Sequence, residues 1–354
     1  MRRGANLPIE QRTFMTFRLG LAGLGTIHPM HAYALARLPD FEVAAAYDPR
    51  PDARCALPDV DRAETLAELL DRSDLDAILV AVPTLDHFEV TRQALVAGRH
   101  VVLEKPVAVN SVEFETLYRI VEERNRTCFA MLHDSVGDEI VHFQEELLPS
   151  LAPTLGRLKS VHSTYHDPYD ARGELEERRS GLVGSWLDSA SNALSVVCRF
   201  VDRLRVLEAT VLLDAPGSPD TQDVEARVRF TGHAVGADES HPVAVAIDTS
   251  WLDDRKTKGT CLEYEGGSVL LQHRSRRIVI RSPEGEQSID ATTDLDRLGA
   301  QYIRVFRDFA RSLERGIDNR DFAASIHRPL LNIYSDDRLV RRYRCGGANR
   351  PVLA

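Results

Sequence analysis

The sequence predicts a two-part α/β chain: a doubly wound parallel sheet first, then an α+β domain built on a large open, mostly antiparallel sheet. Three observations carry that prediction. Apolar runs in the first third lack internal polar alternation and are separated by amphipathic stretches, the pattern of strands buried on both faces by helices. From about Leu151 the strands alternate instead. In "VEARVRF", Val224, Ala226, Val228 and Phe230 share one face, and Glu225, Arg227 and Arg229 the other. The length of 354 residues exceeds most single cores and suits two. The expected boundaries are an N-terminal arm over 1–15, a first domain over 16–135 and a second over 136–354.

Each element follows from its own stretch. "FRLGLAGL" is a short apolar run ending at glycines, and "HAYALARL" behind it has helical spacing. "FEVAAAYD" is strand-like and ends at Asp48. "AETLAELLDRS" reads as a helix, "LDAILVAVP" as a buried strand, and "HFEVTRQALVAG" as a helix closed by Gly98. "HVVLEKP" is a buried strand with Lys105 and Pro106 at its C-terminal end. "SVEFETLYRIVEERN" is a helix capped by Asn110, with Glu113 three residues on, and "TCFAMLH" is a sixth apolar run. In the second domain "RLRVLEATVLL", "PVAVAIDTSW", "GTCLEYEG", "SVLLQH" and "RRIVIRS" are further strands. "SWLDSASNALSVVCRFV" and "DLDRLGAQYIRVFRDFARSLERG" are the clear helices, expected on one side of the open sheet.

Composition narrows the function. A net charge of -10 without a basic block argues against nucleic-acid or anionic-membrane partners. No apolar run approaches the roughly 20 residues a membrane helix needs, and "MRRGANLPIEQRTFMTF" has no hydrophobic signal region. Five scattered cysteines (Cys55, Cys128, Cys198, Cys261, Cys345) without a C-x-x-C pair point to reduced thiols in a cytoplasmic protein. Twelve histidines include no H-E-x-x-H pair, and His28 and His31 have no carboxylate at usable spacing, so no metal site is expected.

The stretch "RLGLAGLGTIHPMHAYAL" (Arg18 to Leu35) nearly matches a dinucleotide-binding fingerprint. Gly23 and Gly25 hold the first two glycine places of G-x-G-x-x-G, and His28, followed by Pro29, holds the third. The first glycine permits the tight strand-to-helix turn and the second lets the backbone approach the pyrophosphate. The third only allows close helix–strand packing. His28 therefore changes packing and leaves the anion site, with phosphate expected on the N–H groups around Gly25, Thr26 and Ile27. Pro29 suits a first turn, where backbone N–H groups have no intrahelical partner. Asp48 ends the next strand twenty residues past His28, where an acid takes the adenosine ribose hydroxyls. These marks predict a Rossmann domain that binds NAD. A carboxylate at Asp48 repels a 2′-phosphate, while Arg50 and Arg54 nearby keep NADP open. The plainer reading of Asp48 is a cap on the turn into "PRPDAR".

"VVLEKPVAVN" ends a buried strand at the carboxyl edge of the sheet, where ligands of open α/β sheets bind. Lys105 there is expected to be a partly desolvated amine, its pKa lowered by burial toward proton-transfer range. In chain order, "GLAGLGTI…H", Asp48, "VPTLDH" (Val82 to His87) and "EKP" (Glu104 to Pro106) resemble the Gfo/Idh/MocA oxidoreductases. The resemblance covers nearly the whole chain, and "EKP" is its most specific part. It implies a Rossmann domain plus an open-sheet α/β domain. It also implies hydride exchange between a nicotinamide and a hydroxyl-bearing carbon, usually of a sugar or polyol, with Lys105 beside the reacting hydroxyl. Cofactor contacts at Pro83, His87, Glu104 and Lys105 come with it.

The family's second signature commonly reads D-x-G-x-H-x-x-D. Here "DSASNALS" keeps Asp188 and has Ala190, Asn192 and Ser195 in place of the glycine, the histidine and the last aspartate, so the usual histidine acid/base is absent. "DSASNALSV" looks like a branch with D-P-G-I-N-A-L-S-I, the aldose 1-dehydrogenases acting on arabinose or galactose. "LHDS" (Leu132 to Ser135) and "YHDPY" (Tyr165 to Tyr169) resemble that branch too. Asp188 and Asn192, four apart, share a helix face. A carboxylate beside an ammonium can accept the anomeric hydroxyl's proton, so Asp188 or Lys105 is the expected acid/base, the two titrating as a coupled pair. Asn192 is expected on the nicotinamide amide or a sugar hydroxyl, with His166 and His133 lining the sugar pocket. Trp186 reads as a core residue before a sugar platform.

The expected function is an NAD(P)-dependent, aldose 1-dehydrogenase-like oxidoreductase. Its expected partners are a small sugar or polyol and further copies of itself, in a homodimer or homotetramer built through the C-terminal sheet. The alternatives are a ketosugar or imine reductase in a biosynthetic pathway, or a non-catalytic NAD(P)-binding sensor of the same fold.

Overall fold

The computed structural model describes residues 16–54, 57, 60–175, 181–214, 222–344 and 352–353; the expected arm over 1–15 lies outside them. Strands β1 (Phe17–Ala22), β2 (Phe41–Tyr47), β3 (Asp61–Arg62), β4 (Ala77–Val80), β5 (His100–Glu104) and β6 (Cys128–Met131) form one parallel sheet in the order β3-β2-β1-β4-β5-β6. The order reverses between β1 and β4, which opens a crevice beyond their carboxyl ends. Strand residues Leu19, Ala77, Ile78, Val80, Val101, Val102 and Leu103 are fully buried, as strands covered on both faces must be. Asn110 caps the helix Ser111–Arg124 by accepting from the Glu113 N–H at 2.9 Å, as its sequence predicts.

The second sheet has ten strands. They are β7 (Leu158–His166), β8 (Val201–Leu213), β9 (Asp223–Ala234), β10 (Pro242–Ser250), β11 (Thr257–Tyr264), β12 (Gly267–Gln272), β13 (Arg277–Ser282), β14 (Gly285–Asp290), β15 (Leu339–Tyr343) and β16 (Val352–Leu353). Their order is β14-β13-β12-β11-β7-β10-β9-β8-β15-β16, antiparallel except at β10–β7 and β15–β8. On β7, Val161, Ser163 and Tyr165 are buried on the inner face. Against that face packs a continuous helical stretch: a π-helical turn over Trp186–Ala190 that runs into the helix Ser191–Val197, every residue of which is buried. Trp186 is core: its indole N–H donates to the Leu330 carbonyl at 2.8 Å and its ring stacks on Phe230.

Two helices depart from the sequence expectation. The helix Arg297–Arg315 covers the first sheet and not the open one. Its apolar stripe of Tyr302, Ile303, Phe306 and Phe309 meets Phe17, Leu19, Phe41 and Phe129, with Phe309 stacked on Phe41 at 5.9 Å. The chain thus returns to complete the N-terminal core, which local periodicity cannot foretell. The helix Arg320–Asn332 has no counterpart in the sequence expectation, because Pro329 interrupts its pattern and reads as a stop. Among the described residues no helix is long and apolar enough to cross a membrane, and no three His, Cys, Asp or Glu side chains group as metal ligands.

Candidate active site

The glycine turn has the conformation its sequence implies. Gly23 takes φ of 97°, and a Cβ there would lie 2.4 Å from the Ala81 carbonyl oxygen on the neighbouring strand loop, so no other residue fits. A Cβ at Gly25, by contrast, would meet nothing within 4 Å. The helix starts at His28, with Ile27 as its N-cap and Pro29 in its first turn. Among the described residues the N–H groups of Gly25, Thr26 and Ile27 find no acceptor. An open backbone with free donors at a helix start fits a pyrophosphate. His28 lies half-buried under this turn, its Nδ1 without a partner among the described residues, and burial lowers its pKa.

Asp48 is more committed than the sequence suggests. Its Oδ2 accepts the Leu24 N–H at 2.9 Å, and the Arg50 backbone N–H and guanidinium bond the same carboxylate. Burial opposes the charge, but these hydrogen bonds outweigh it and hold the carboxyl below its ordinary range. Asp48 thus staples the glycine turn to the end of β2, and Arg50, 64% exposed, is the group it presents outward.

The chemistry end is built on β5. Glu104 is buried and accepts from His31 Nε2 at 2.8 Å and from the Tyr302 hydroxyl at 2.7 Å. Burial alone would raise this carboxyl, but the His31 bond and charge, then His133 and Tyr302, hold it at about 2. The next residue turns into the cleft. Lys105 Nζ donates to Asp188 Oδ1 at 2.7 Å and to the Asp188 carbonyl at 3.1 Å, across 83 residues of sequence. Here the expectation of a lowered lysine pKa fails. Burial does pull it down, but the charge and hydrogen bond of Asp188, with Glu104 and Asp134 beyond, push it above its ordinary value. Lys105 is thus held as an ammonium against the Asp188 side chain.

Two histidines fix the loop after Lys105. His87, first residue of the helix His87–Val96, sits with Nδ1 2.7 Å from the Pro106 carbonyl and Nε2 3.0 Å from that of Val82. It therefore spans the "VPTLDH" and "EKP" loops; Pro83 opens the short turn between Val82 and His87. His327 accepts the Val107 N–H on Nε2 at 2.8 Å and donates from Nδ1 to the Ala323 carbonyl. That pattern needs a neutral ring, and burial lowers its pKa to about 4.

The remaining expected residues divide. His133 stacks on Tyr302 at 4.9 Å, the tyrosine that donates to Glu104, and burial lowers its pKa. Asn192 follows Asp188 by one helical turn, and among the described residues its nearly buried amide makes no hydrogen bond. His166 is not brought to Lys105: strand alternation turns it away from the face that carries Tyr165, and its Nδ1 bonds Asp253 at 2.8 Å.

Several site residues carry no expectation from the sequence. Tyr165 and Asp134 are both buried in the cleft wall. Asp134 Oδ1 faces the Arg297 guanidinium at 3.5 Å, and among the described residues neither the Tyr165 hydroxyl nor His133 Nδ1 has a hydrogen-bond partner. Unsatisfied buried polar atoms gathered round an ion pair mark a ligand site. Asp167, 2% exposed, takes Lys256 Nζ at 3.0 Å and Lys258 Nζ at 3.3 Å, and the Ser189 hydroxyl reaches it at 3.5 Å. Asp223 accepts the Trp186 N–H at 2.7 Å, the Ser185 hydroxyl at 2.8 Å and the Tyr334 hydroxyl at 2.8 Å, and so anchors the turn that carries Asp188. The stretches "LHDS" and "YHDPY" contain Asp134, Tyr165 and Asp167; nothing local marks Lys256, Lys258, Asp223 or Tyr302.

Comparison with known proteins gives this geometry its relatives. Residues 17–132 match the Gfo/Idh/MocA family model, described as an oxidoreductase family with an NAD-binding Rossmann fold. A protein of Amycolatopsis mediterranei described as a candidate UDP-kanosamine synthase oxidoreductase subunit is 37% identical, over 90% of this chain and 94% of that one. The chain belongs to the Gfo/Idh/MocA oxidoreductase family. Another member, dTDP-3,4-didehydro-2,6-dideoxy-alpha-D-glucose 3-reductase of Streptomyces antibioticus, is 28% identical over 70% of this chain and 72% of that one. Some curated members align over less: the match with inositol 2-dehydrogenase of Rhizobium meliloti, at 25% identity, spans 48% of this chain and 51% of that protein. Among solved structures, the 3-ketoreductase KijD10 of Actinomadura kijaniata, in complex with NADP and TDP-benzene, superposes with a TM-score of 0.76 at 18% identity, covering 93% of this chain and all of that one. D-galactose-1-dehydrogenase of Rhizobium etli gives 0.72 at 21% identity, covering 94% and 98%. At these identities the structural likeness speaks for the shared two-domain fold, and the family match for a Rossmann domain that binds NAD(P).

Proposed function

We propose that this family member interconverts a ring carbinol and the corresponding ketone on a hexose carried by a nucleoside diphosphate, with NAD or NADP as redox partner. The Lys105–Asp188 pair at 2.7 Å in the cleft carries this reading. A bound nicotinamide would supply or accept the hydride. Gly23, Gly25, Thr26 and Ile27 would hold its pyrophosphate, and Asp48 with Arg50 would face its adenosine ribose. In the oxidation direction the Asp188–Lys105 pair takes the hydroxyl proton while the ammonium steadies the charge developing on oxygen. In reduction the pair returns that proton from the Asp188 carboxyl, which re-ionises beside the ammonium. Glu104 and His327 fix the lysine's backbone, and Asn192 and His133 offer their unsatisfied polar atoms to substrate hydroxyls. The nucleotide-sugar class is supported by the UDP-kanosamine synthase and dTDP-sugar reductase relatives, each aligned over most of its length.

Oxidation at C1 of a free aldose is the second reading, supported by the likeness of "DSASNALSV" to the aldose 1-dehydrogenase branch. One assay separates the two. NADH formation is followed with UDP- and dTDP-hexoses in one arm and with arabinose, galactose and inositols in the other. Turnover confined to the nucleotide sugars is the expected result. Turnover confined to free aldoses with lactone as product replaces the first reading by the second. NAD(P) binding without turnover on either arm leaves the sensor reading.

A further inference from the structure

Lysine is scarce in this chain. Of its 44 basic residues only four are lysine, namely Lys105, Lys159, Lys256 and Lys258. Three of those four lie at the cleft, although arginine supplies almost every surface cation. The two residue types are not equivalent. Lysine offers a compact, freely rotating point charge with three donors, arginine a broad rigid fork. Lysine kept at adjoining cleft positions therefore points to a charge that must fit a small space.

The placement of Lys256 and Lys258 supports this. Lys258 lies on β11 opposite Tyr165 of β7, and alternation puts it on the inner face with buried Thr260 and Leu262. Its Nζ stands 5.2 Å from the Tyr165 ring centroid, in the wall that also holds Asp134. Lys256 precedes the strand. Both ammonium groups converge on Asp167, whose other neighbour is the Ser189 hydroxyl, one residue beyond Asp188. Two ammonium groups share one buried carboxylate, with Asp134 also near Lys258, and each spends one of its three donors on Asp167, which leaves donors for a further anion. Lys258 is 12% and Lys256 29% exposed, so both are half-sunk yet reachable. Asp253, the next carboxylate along the loop, is engaged by His166.

We propose that Lys256 and Lys258, held in register by Asp167, form the anion end of the substrate site and take the diphosphate of a nucleotide-linked sugar. The inference rests on the nucleotide-sugar reading above and assigns the residues that would enforce it. The hexose then lies between the diphosphate and Lys105, with Ser189 and Asn192 on the same helical stretch as Asp188 along its length. Asp167 is a positioning residue: it sets the spacing of two groups that would otherwise repel.

The probe is UDP, titrated calorimetrically into the protein saturated with NADH so that the adenosine site is filled. The expected result is binding that weakens steeply with added salt. Lys256→Met and Lys258→Met each weaken it at least tenfold, while Lys159→Met, at the far end of β7, does not. NADH affinity stays within twofold in all three. Each cleft variant leaves Asp167 one ammonium, and the salt dependence is read on the unmodified protein, so the test does not hang on a variant's folding. UDP binding that is absent, insensitive to salt, or equally weakened by Lys159→Met overturns the proposal. Turnover of a nucleotide hexose with unchanged KM in both cleft variants removes the diphosphate site and leaves the reaction standing. UDP binding through these lysines with no hexose turned over removes the reaction and leaves the site.

Discussion

The two sides of the cleft are built by different means. The cofactor side is mostly backbone: a glycine forced to φ of 97°, a second with open space before it, and three N–H groups at a helix start. Its components lie within a few residues of one another. The chemistry side is side chains brought from far apart. Lys105 meets Asp188, Glu104 meets Tyr302 and Val107 meets His327, over separations of 83, 198 and 220 residues. A site made of backbone is specified by local conformation. One made of side chains exists only when the whole chain has closed, and its electrostatics can reverse a local expectation. Lys105 is the example: burial alone lowers a lysine, but the distant Asp188 raises it.

The sharpest test of this contrast is Lys105→Met. Turnover is expected to fall by about 10³-fold or more in kcat/KM, since the acid/base group is lost, with NADH affinity within a few-fold by fluorescence titration. Near-wild-type turnover would show that the chemistry lies elsewhere. Next comes Asp188→Asn. About 10²-fold loss of kcat is expected, together with a shift of the alkaline limb of the kcat/KM profile to lower pH, because the group that raises Lys105 is gone. An unmoved limb would uncouple the pair.

The glycines sharpen the other side. Gly23→Ala drives a methyl into the Ala81 carbonyl and is expected to cost about 2–4 kcal/mol in chemical denaturation. Gly25→Ala leaves stability near wild type yet weakens NADH, since its methyl enters only the space a pyrophosphate would use. Equal effects of the two on stability would mean the turn is not organised as described.

His327 predicts a pH dependence. Its pKa falls from 6.5 to about 4 on folding, so the neutral ring's contribution is complete above pH 6.5 and is lost as pH falls toward 4. The loss reaches about 3 kcal/mol in denaturation curves. His327→Gln should flatten that slope, and an unchanged slope would assign it to other groups. The smallest effect is expected at Arg50→Ala, a few-fold drop in NADP relative to NAD affinity from removing the exposed cation beside the ribose site.

Much of this is legible in the sequence. Alternating and continuous apolar runs specify both sheets, and the glycine pair and "EKP" announce the Rossmann fold of the family, because each is a short stretch whose conformation depends on its own spacing. His166 shows where that reasoning stops. It ends β7 within "YHDPY", but strand alternation puts it on the face opposite Tyr165, where it bonds Asp253. By itself the sequence determined the conformations available to the backbone and the residue types at each strand end. Only the tertiary structure decided that the helix Arg297–Arg315 returns to cover the first sheet, that Glu104 is hydrogen-bonded from that helix, and that Lys256 and Lys258 meet on Asp167. The physical reason is range: dihedral preference and periodicity act over a few residues, whereas burial and charge act between whatever the closed chain brings together.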